Sequence, residues 1–180
     1  HFALTAHLLP LLRAAGAARV TTVSSGVHSI GRINFDDLQF EKSYRPVAAY
    51  GQSKLANLMF ALELQRRSDA KGWGLLSVAA HPGFALTDLI ANGPGTKGLS
   101  YQASRFLALF LAHSPAEGAL PILFAATSPY AVPGGYYGPK GTFELIGPPG
   151  PAHASKRSRD KQVAARLWDV SEKLTGATFP

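Results

Sequence analysis

Apolar residues recur along this chain in two rhythms. In "FALTAHLLPLLRAAG" and "ANLMFALEL" they return every three or four positions, the period of one helix face. In "ARVTTVSS" and "WGLLSVAA" they cluster over a few positions with β-branched residues or alanines and stop at a turn signal, which marks a buried strand. The pattern predicts a helix over 1–15 closed by Gly16, a strand over 18–25 buried on both faces, a loop over 26–47, and a long helix from Ala48 to about Lys71. On that helix Leu55, Leu58, Met59 and Leu62 make the apolar face, with Glu63, Arg66 and Arg67 toward its polar end. A second strand over 74–80 ends at Pro82-Gly83. Beyond it come a short segment over 87–91, a glycine-rich loop over 92–98, and helices near 101–112 and 115–126. A turn-rich strand region in "GGYYGPKGTFELIG", a Pro/Gly-rich surface loop over 146–155 and a last helix over about 159–174 complete the pattern. Helices and strands alternating in this order predict an α/β fold, a parallel sheet with crossover helices.

Composition narrows the function classes. At 180 residues, 46% of them hydrophobic, the chain has apolar side chains enough for a substantial core and is not of disordered type. It has no cysteine, which excludes a disulfide scaffold, a thiolate metal site and a cysteine nucleophile. The apolar run Phe106 to Ala112 is far shorter than the roughly 20 residues of a membrane helix, so no span is expected. No signal-peptide pattern is present, and a cytoplasmic location is expected. The formal charge is +7, but the basic residues are scattered apart from "SKRSRDK" at 155–161. That cluster reads as a solvated helix start rather than a nucleic-acid footprint, and a positive field would draw in an anionic cofactor or substrate. His1, His7, His28, His113 and His153 show no metal-ligand spacing, so no metal is expected. His81 reads as a strand-end histidine packed near a ligand, Asp36-Asp37 as caps or solvated carboxylates, and Tyr136-Tyr137 and Trp168 as packing aromatics. Serine hydrolysis is disfavoured because the Gly-x-Ser-x-Gly elbow is missing.

Candidate chemistry begins in "AAYGQSKLAN". Tyr50 and Lys54 stand one helical turn apart on one face, so their side chains reach a common site. An ammonium beside a phenol favours the phenolate and makes the pair a usable proton donor and acceptor. Alone, the pair is equally a half-buried tyrosine followed by a solvated lysine. Its surroundings sharpen it. The strand before it runs into "VSSG", and the strand after it into "HPGFALT". Carboxyl ends of strands are where open α/β sheets bind ligands. A serine there can hold a substrate oxygen, and a threonine at a helix start can meet an amide or phosphate.

"VSSG", "AAYGQSKLAN" and "HPGFALT" in this order resemble the short-chain dehydrogenase/reductase family. The long insert from Gly31 to Phe60 and the tail "YYGPKGTFELIGPPG" with "AARLWDVSEKLTG" are similar to its retinol-dehydrogenase-like branch, which includes WW-domain oxidoreductase. The resemblance covers nearly the whole chain. It implies a doubly wound, Rossmann-like parallel sheet and a nicotinamide cofactor, NAD or NADP. Tyr50 would be the general acid/base, Lys54 would favour its phenolate and bind the ribose hydroxyls, and Ser25 would hold the substrate oxygen, with Ser24 as the competing assignment. Pro82, Gly83 and Thr87 would line the nicotinamide pocket. The family's glycine-rich pyrophosphate turn, its ribose-reading residue and its Asn-Asn-Ala-Gly-like strand end have no counterpart in this sequence. Residues 1–180 are therefore expected to be the carboxy-terminal part of one such domain, without its first mononucleotide-binding half. The implied partner is a small hydrophobic alcohol or ketone under a lid over about 84–106, in a monomer or homodimer. The rival class is a non-catalytic module that keeps the fold without turnover.

Overall fold

The computed structural model describes residues 1–84 and 113–180. Thr87, most of the expected lid and the helix expected near 101–112 lie outside the described residues. Three strands run parallel: β1 (Arg19–Val23), β2 (Leu76–Ala80) and β3 (Tyr136–Pro139). A fourth, β4 (Pro149–Pro151), lies antiparallel to β3 and completes the order β1-β2-β3-β4. The helices are α1 (Phe2–Ala14), α2 (Pro46–Lys71), α3 (Pro115–Thr127) and α4 (Lys161–Thr175). The open α/β sheet is thus present, with an antiparallel edge where the Pro/Gly content predicts only a loop. An edge position explains how prolines at 149 and 151 are tolerated, since an outer strand needs donors on one side only.

β2 is the buried centre. Val78, Ala79 and Ala80 are fully buried, and their small size lets helices approach from both faces. Ala79 packs with Leu58 and Ala61 of α2, while Val78 and Ala80 pack with Ala125 of α3. β1 is not buried on both faces. Of its five residues only Thr22 is buried, and Val23 is exposed, because β1 pairs with β2 alone among the described residues. Its β-branched run reflects strand propensity rather than two-sided burial.

α2 begins two residues before the predicted start because Pro46, whose ring presets the helical φ, occupies its first turn; it ends at Gly72 in a left-handed cap. Its middle is buried nearly all round. Leu55, Leu58, Met59 and Leu64 are joined in the interior by Glu63, Gln65 and Ser68. Glu63 is no surface group: Arg66 and Arg67 neutralise it, Arg67 at 2.7 Å. Gln65 accepts the Ser77 N–H at 2.7 Å and Ser68 the Leu75 N–H at 3.0 Å, so these polar side chains satisfy the approach to β2.

α4 starts later than predicted. Residues Arg157–Arg159 form a 3-10 turn, and the Asp160 carboxylate then accepts the N–H groups of Gln162 and Val163, each at 3.0 Å. Trp168 on α4 is buried among Phe2, Phe60 and Phe179, with ring centroids 4.9, 5.8 and 4.5 Å away, and this aromatic cluster joins α1, α2 and α4. Among the described residues, no helix is long and apolar enough to cross a membrane.

The segment between β1 and α2 fixes the start of that helix. It holds a 3-10 turn, Gly26–Ile30, and then passes Gly31 so close to α2 that a Cβ there would collide with the Gly51 carbonyl. Gln52, buried, accepts the Asn34 N–H at 2.8 Å and donates to the Leu38 carbonyl at 2.9 Å. The helix carbonyl cannot yield without breaking its own ladder. Gly31→Ala is therefore expected to cost about 1–3 kcal/mol of unfolding free energy, the scale of an overpacked core. Urea unfolding of the two forms checks this, and an unchanged midpoint would refute the close approach.

Candidate active site

The carboxyl ends of β1 and β2 and the first turns of α2 converge on a cleft of about 910 Å³. Five of the six predicted site residues, Ser25, Tyr50, Lys54, Pro82 and Gly83, line it; Thr87 falls outside the described residues. The two serines after β1 part company. Ser24 is 1% exposed and its Oγ donates to the Lys54 carbonyl at 2.8 Å, so its hydroxyl is committed to seating α2. Ser25, in extended backbone, caps the following 3-10 turn through one long bond from the Val27 N–H, 3.3 Å. Its own O–H remains to donate into the cleft.

Tyr50 is 36% exposed on the cleft wall. One turn on, the Lys54 ammonium lies 5.7 Å from the centre of its ring, within the reach of a cation–π contact. Lys54 enters no ion pair among the described residues. The site thus combines a phenol, a cation and a hydroxyl on one wall of a mostly apolar hollow.

Residues 82–84 pass the cleft as a rigid strap. Gly83 has φ +71°, and a side chain on it would also strike the Leu145 carbonyl and the Pro139 ring. The Phe84 N–H donates to Leu145 O at 2.8 Å. From the start of α3, the His113 ring donates through Nε2 to Pro82 O at 2.6 Å, and its backbone N–H donates to Phe84 O at 3.0 Å.

Beneath the strap lies a set of buried polar side chains whose mutual bonds no sequence pattern shows, although His81 is expected at the strand end beside a ligand and Tyr136 as a packing aromatic. His81 is 1% exposed. Its Nδ1 accepts the Gly83 N–H at 3.2 Å, so Nε2 carries the proton and donates to Glu144 Oε2, also at 3.2 Å. The ring fits only because residue 138 is glycine: a Cβ there would overlap His81 Nε2. His28 is the opposite tautomer. Its Nε2 accepts the Ser155 N–H at 3.3 Å, and Nδ1 donates to Ser25 O at 2.8 Å. Tyr136 packs edge-on against His28 and tilted against His81, at centroid distances of 5.4 and 5.2 Å. Burial pushes its phenol well above the ordinary value, with the Ser24 hydroxyl opposing, so Tyr136 is no acid near neutrality. The one local hint of this network is the spacing of Ser25 and His28, a single turn apart; the rest is assembled by distant segments. Among the described residues, no group of three or more His, Asp or Glu is placed to hold a metal.

Both buried imidazoles are held below the 6.5 of a free histidine, chiefly by desolvation, with Ser25 opposing at His28 and Glu144 at His81. Below pH 6.5 the unfolded chain therefore takes up protons that the folded chain refuses, and stability falls as pH drops toward the folded values. The expected urea midpoint is level above neutrality and declines under pH 6.5, less steeply in His28→Asn. A midpoint independent of pH across that window would contradict the neutral burial of these rings.

No family model matches the chain. Mouse polyprenol dehydrogenase is 39% identical to it over 98% of this chain and 51% of that protein. Human retinol dehydrogenase 14 is 35% identical, over 98% and 49%, and mouse retinol dehydrogenase 12 is 37% identical, over 98% and 51%. The chain spans about half the length of the curated relatives it matches. Among solved structures, an uncharacterized protein from Mycobacterium Paratuberculosis is 40% identical and superposes with a TM-score of 0.76, covering all of this chain and 57% of its own.

Proposed function

We propose that this chain, which belongs to the short-chain dehydrogenase/reductase family with the retinol and polyprenol dehydrogenases as relatives, performs the proton transfer of a nicotinamide-dependent oxidoreductase. The reaction is the interconversion of an alcohol and a carbonyl compound. The observation that carries this reading is the meeting of Tyr50, Lys54 and Ser25 on one cleft at the strands' carboxyl ends, while Ser24 and Tyr136 beside them are buried and committed elsewhere.

The described residues fit a nicotinamide nucleoside. Lys54 offers a cation without an ionic partner among them, suited to ribose hydroxyls, and the strap over 82–84 offers a fixed backbone edge beside it. NAD or NADP, when bound, supplies or accepts the hydride. Ser25 donates a hydrogen bond to the substrate oxygen and holds it toward Tyr50. In carbonyl reduction the Tyr50 phenol gives its proton to that oxygen; in alcohol oxidation the phenolate removes it. Lys54, one turn along the helix from Tyr50, anchors the ribose. The apolar lining, with Val23, Ile122 and Leu145, suits a hydrophobic alcohol or ketone.

Turnover in the intact gene product tests the assignment. Tyr50→Phe is expected to lower kcat by about 10²–10⁴, the usual weight of a general acid/base, while cofactor binding stays close to wild type. Ser25→Ala is expected to lower kcat with only the small stability cost of one long, partly exposed capping bond, whereas Ser24→Ala costs about 1 kcal/mol of folding free energy for one buried hydrogen bond. Full turnover in Tyr50→Phe would overturn the reading.

A further inference from the structure

After β3 the chain makes a turn over 141–146 whose backbone is out of the ordinary. Phe143 (φ 52°, ψ 24°) and Glu144 (φ 57°) are consecutive non-glycine residues in the left-handed region, which L side chains rarely adopt. Packing does not account for the phenylalanine, whose ring is 88% exposed and so gains little from burial. Both residues line the cleft that holds Tyr50, Lys54 and Ser25.

The turn is nonetheless firmly tied. Gly141 N–H donates to Ile146 O at 2.9 Å and Glu144 N–H to Gly141 O at 3.0 Å, closing the loop on itself. The Glu144 carboxylate accepts a hydrogen bond from His81 Nε2–H on one oxygen and from the His153 N–H, at 2.7 Å, on the other. Leu145 O receives the Phe84 N–H from the strap. A large apolar ring is therefore held, at a conformational cost, where it touches little of the described protein and faces the cleft. Strain that the surroundings over-determine at a site is a mark of function, and what such a ring offers at a cleft rim is an apolar contact for whatever projects from it.

We propose that Phe143 is a specificity-determining residue of this cleft, posed at its rim by the Glu144 clamp, and that it selects substrates whose apolar chain extends outward from the reacting carbon. This rests on the oxidoreductase reading above and assigns the outer part of the same site. Glu144 is then a positioning residue. Its two carboxylate bonds hold the turn that carries Phe143.

The test is a series of straight-chain primary alcohols from short to long, assayed by cofactor reduction in the intact gene product carrying Phe143→Ala, Phe143→Leu or Phe143→Gly. In wild type, kcat/KM is expected to rise with chain length. Phe143→Ala flattens that rise, losing about tenfold for the long members and nothing for the short ones, the scale of a small apolar contact. The loss falls in KM and not in kcat, and Phe143→Leu retains part of the preference. Phe143→Gly loses the preference equally while its Tm is unchanged or raised, because glycine relieves the left-handed backbone. A chain-length dependence that survives in Phe143→Ala and Phe143→Gly overturns the inference. Absence of turnover with every alcohol in wild type would count against the oxidoreductase reading instead. The inference is then decided by fluorescence titration, with hexadecanol displacing a bound naphthalene dye: weaker displacement in Phe143→Ala supports it, and equal displacement overturns it.

Discussion

The site depends on how closely α2 lies against the segment that follows β1. Gly31 rests on the Gly51 carbonyl with no side chain between them, and Ser24, Gln52 and Asn57 tie the same stretch of helix down around that contact. Asn57 donates to Val23 O at 3.0 Å, on the face shared by Tyr50 and Lys54 at the helical period. That bond turns the face toward the end of β1. Tyr50 therefore stands above the strand end by backbone geometry alone, and Lys54 follows one turn behind. A larger residue at either glycine would lift the helix and carry the phenol away from Ser25.

Around that seat the polar groups divide sharply. Ser24, His28, His81 and Tyr136 are buried, each with a partner, and their surroundings keep both histidines uncharged. Ser25 and Tyr50 sit a residue or a turn away, partly exposed and lightly bonded. In a medium of low effective dielectric, a committed polar group rigidifies its neighbours, while an uncommitted one is costly unless a ligand completes it. Chemistry is expected where the uncommitted groups gather. The same contrast separates the adjacent serines: Ser24 is buried and bonded to α2, while Ser25 opens onto the cleft.

Much of this was legible in the amino-acid pattern. The order of helices and strands, the length of α2 and the gathering of Ser25, Tyr50, Lys54, Pro82 and Gly83 all follow from local period, turn residues and the tendency of strand ends to meet. What was not legible depends on distant pairing. β4 hides in "PPGP" because prolines suppress any strand signal, and only its neighbour β3 makes it a strand. Glu63 reads as a surface charge until the fold brings two arginines onto it and closes the helix on all sides. His81 and Glu144 are 63 positions apart, and nothing local announces their bond. The Phe143 backbone is set by that bond and the turn around it, not by the preference of phenylalanine.

The formal charge of +7 changes meaning once its members are located. Arg66 and Arg67 serve Glu63, and Arg67 also covers the Trp168 ring at 4.3 Å. Arg19 reaches across the sheet to the carbonyls of Ala125 and Ser128 at the end of α3, where the helix dipole favours a cation. Arg157, in the basic run beside α4, is engaged by the carbonyls of Ser29 and Gly31 and so braces the glycine that seats α2. Arg166 lies over Phe35 at 3.9 Å. These arginines work as staples between elements, which suits a planar guanidinium that donates to several carbonyls and stacks on rings. Lys54 is different in kind. It is a compact charge on the cleft wall beside a phenol, with no ion-pair partner among the described residues.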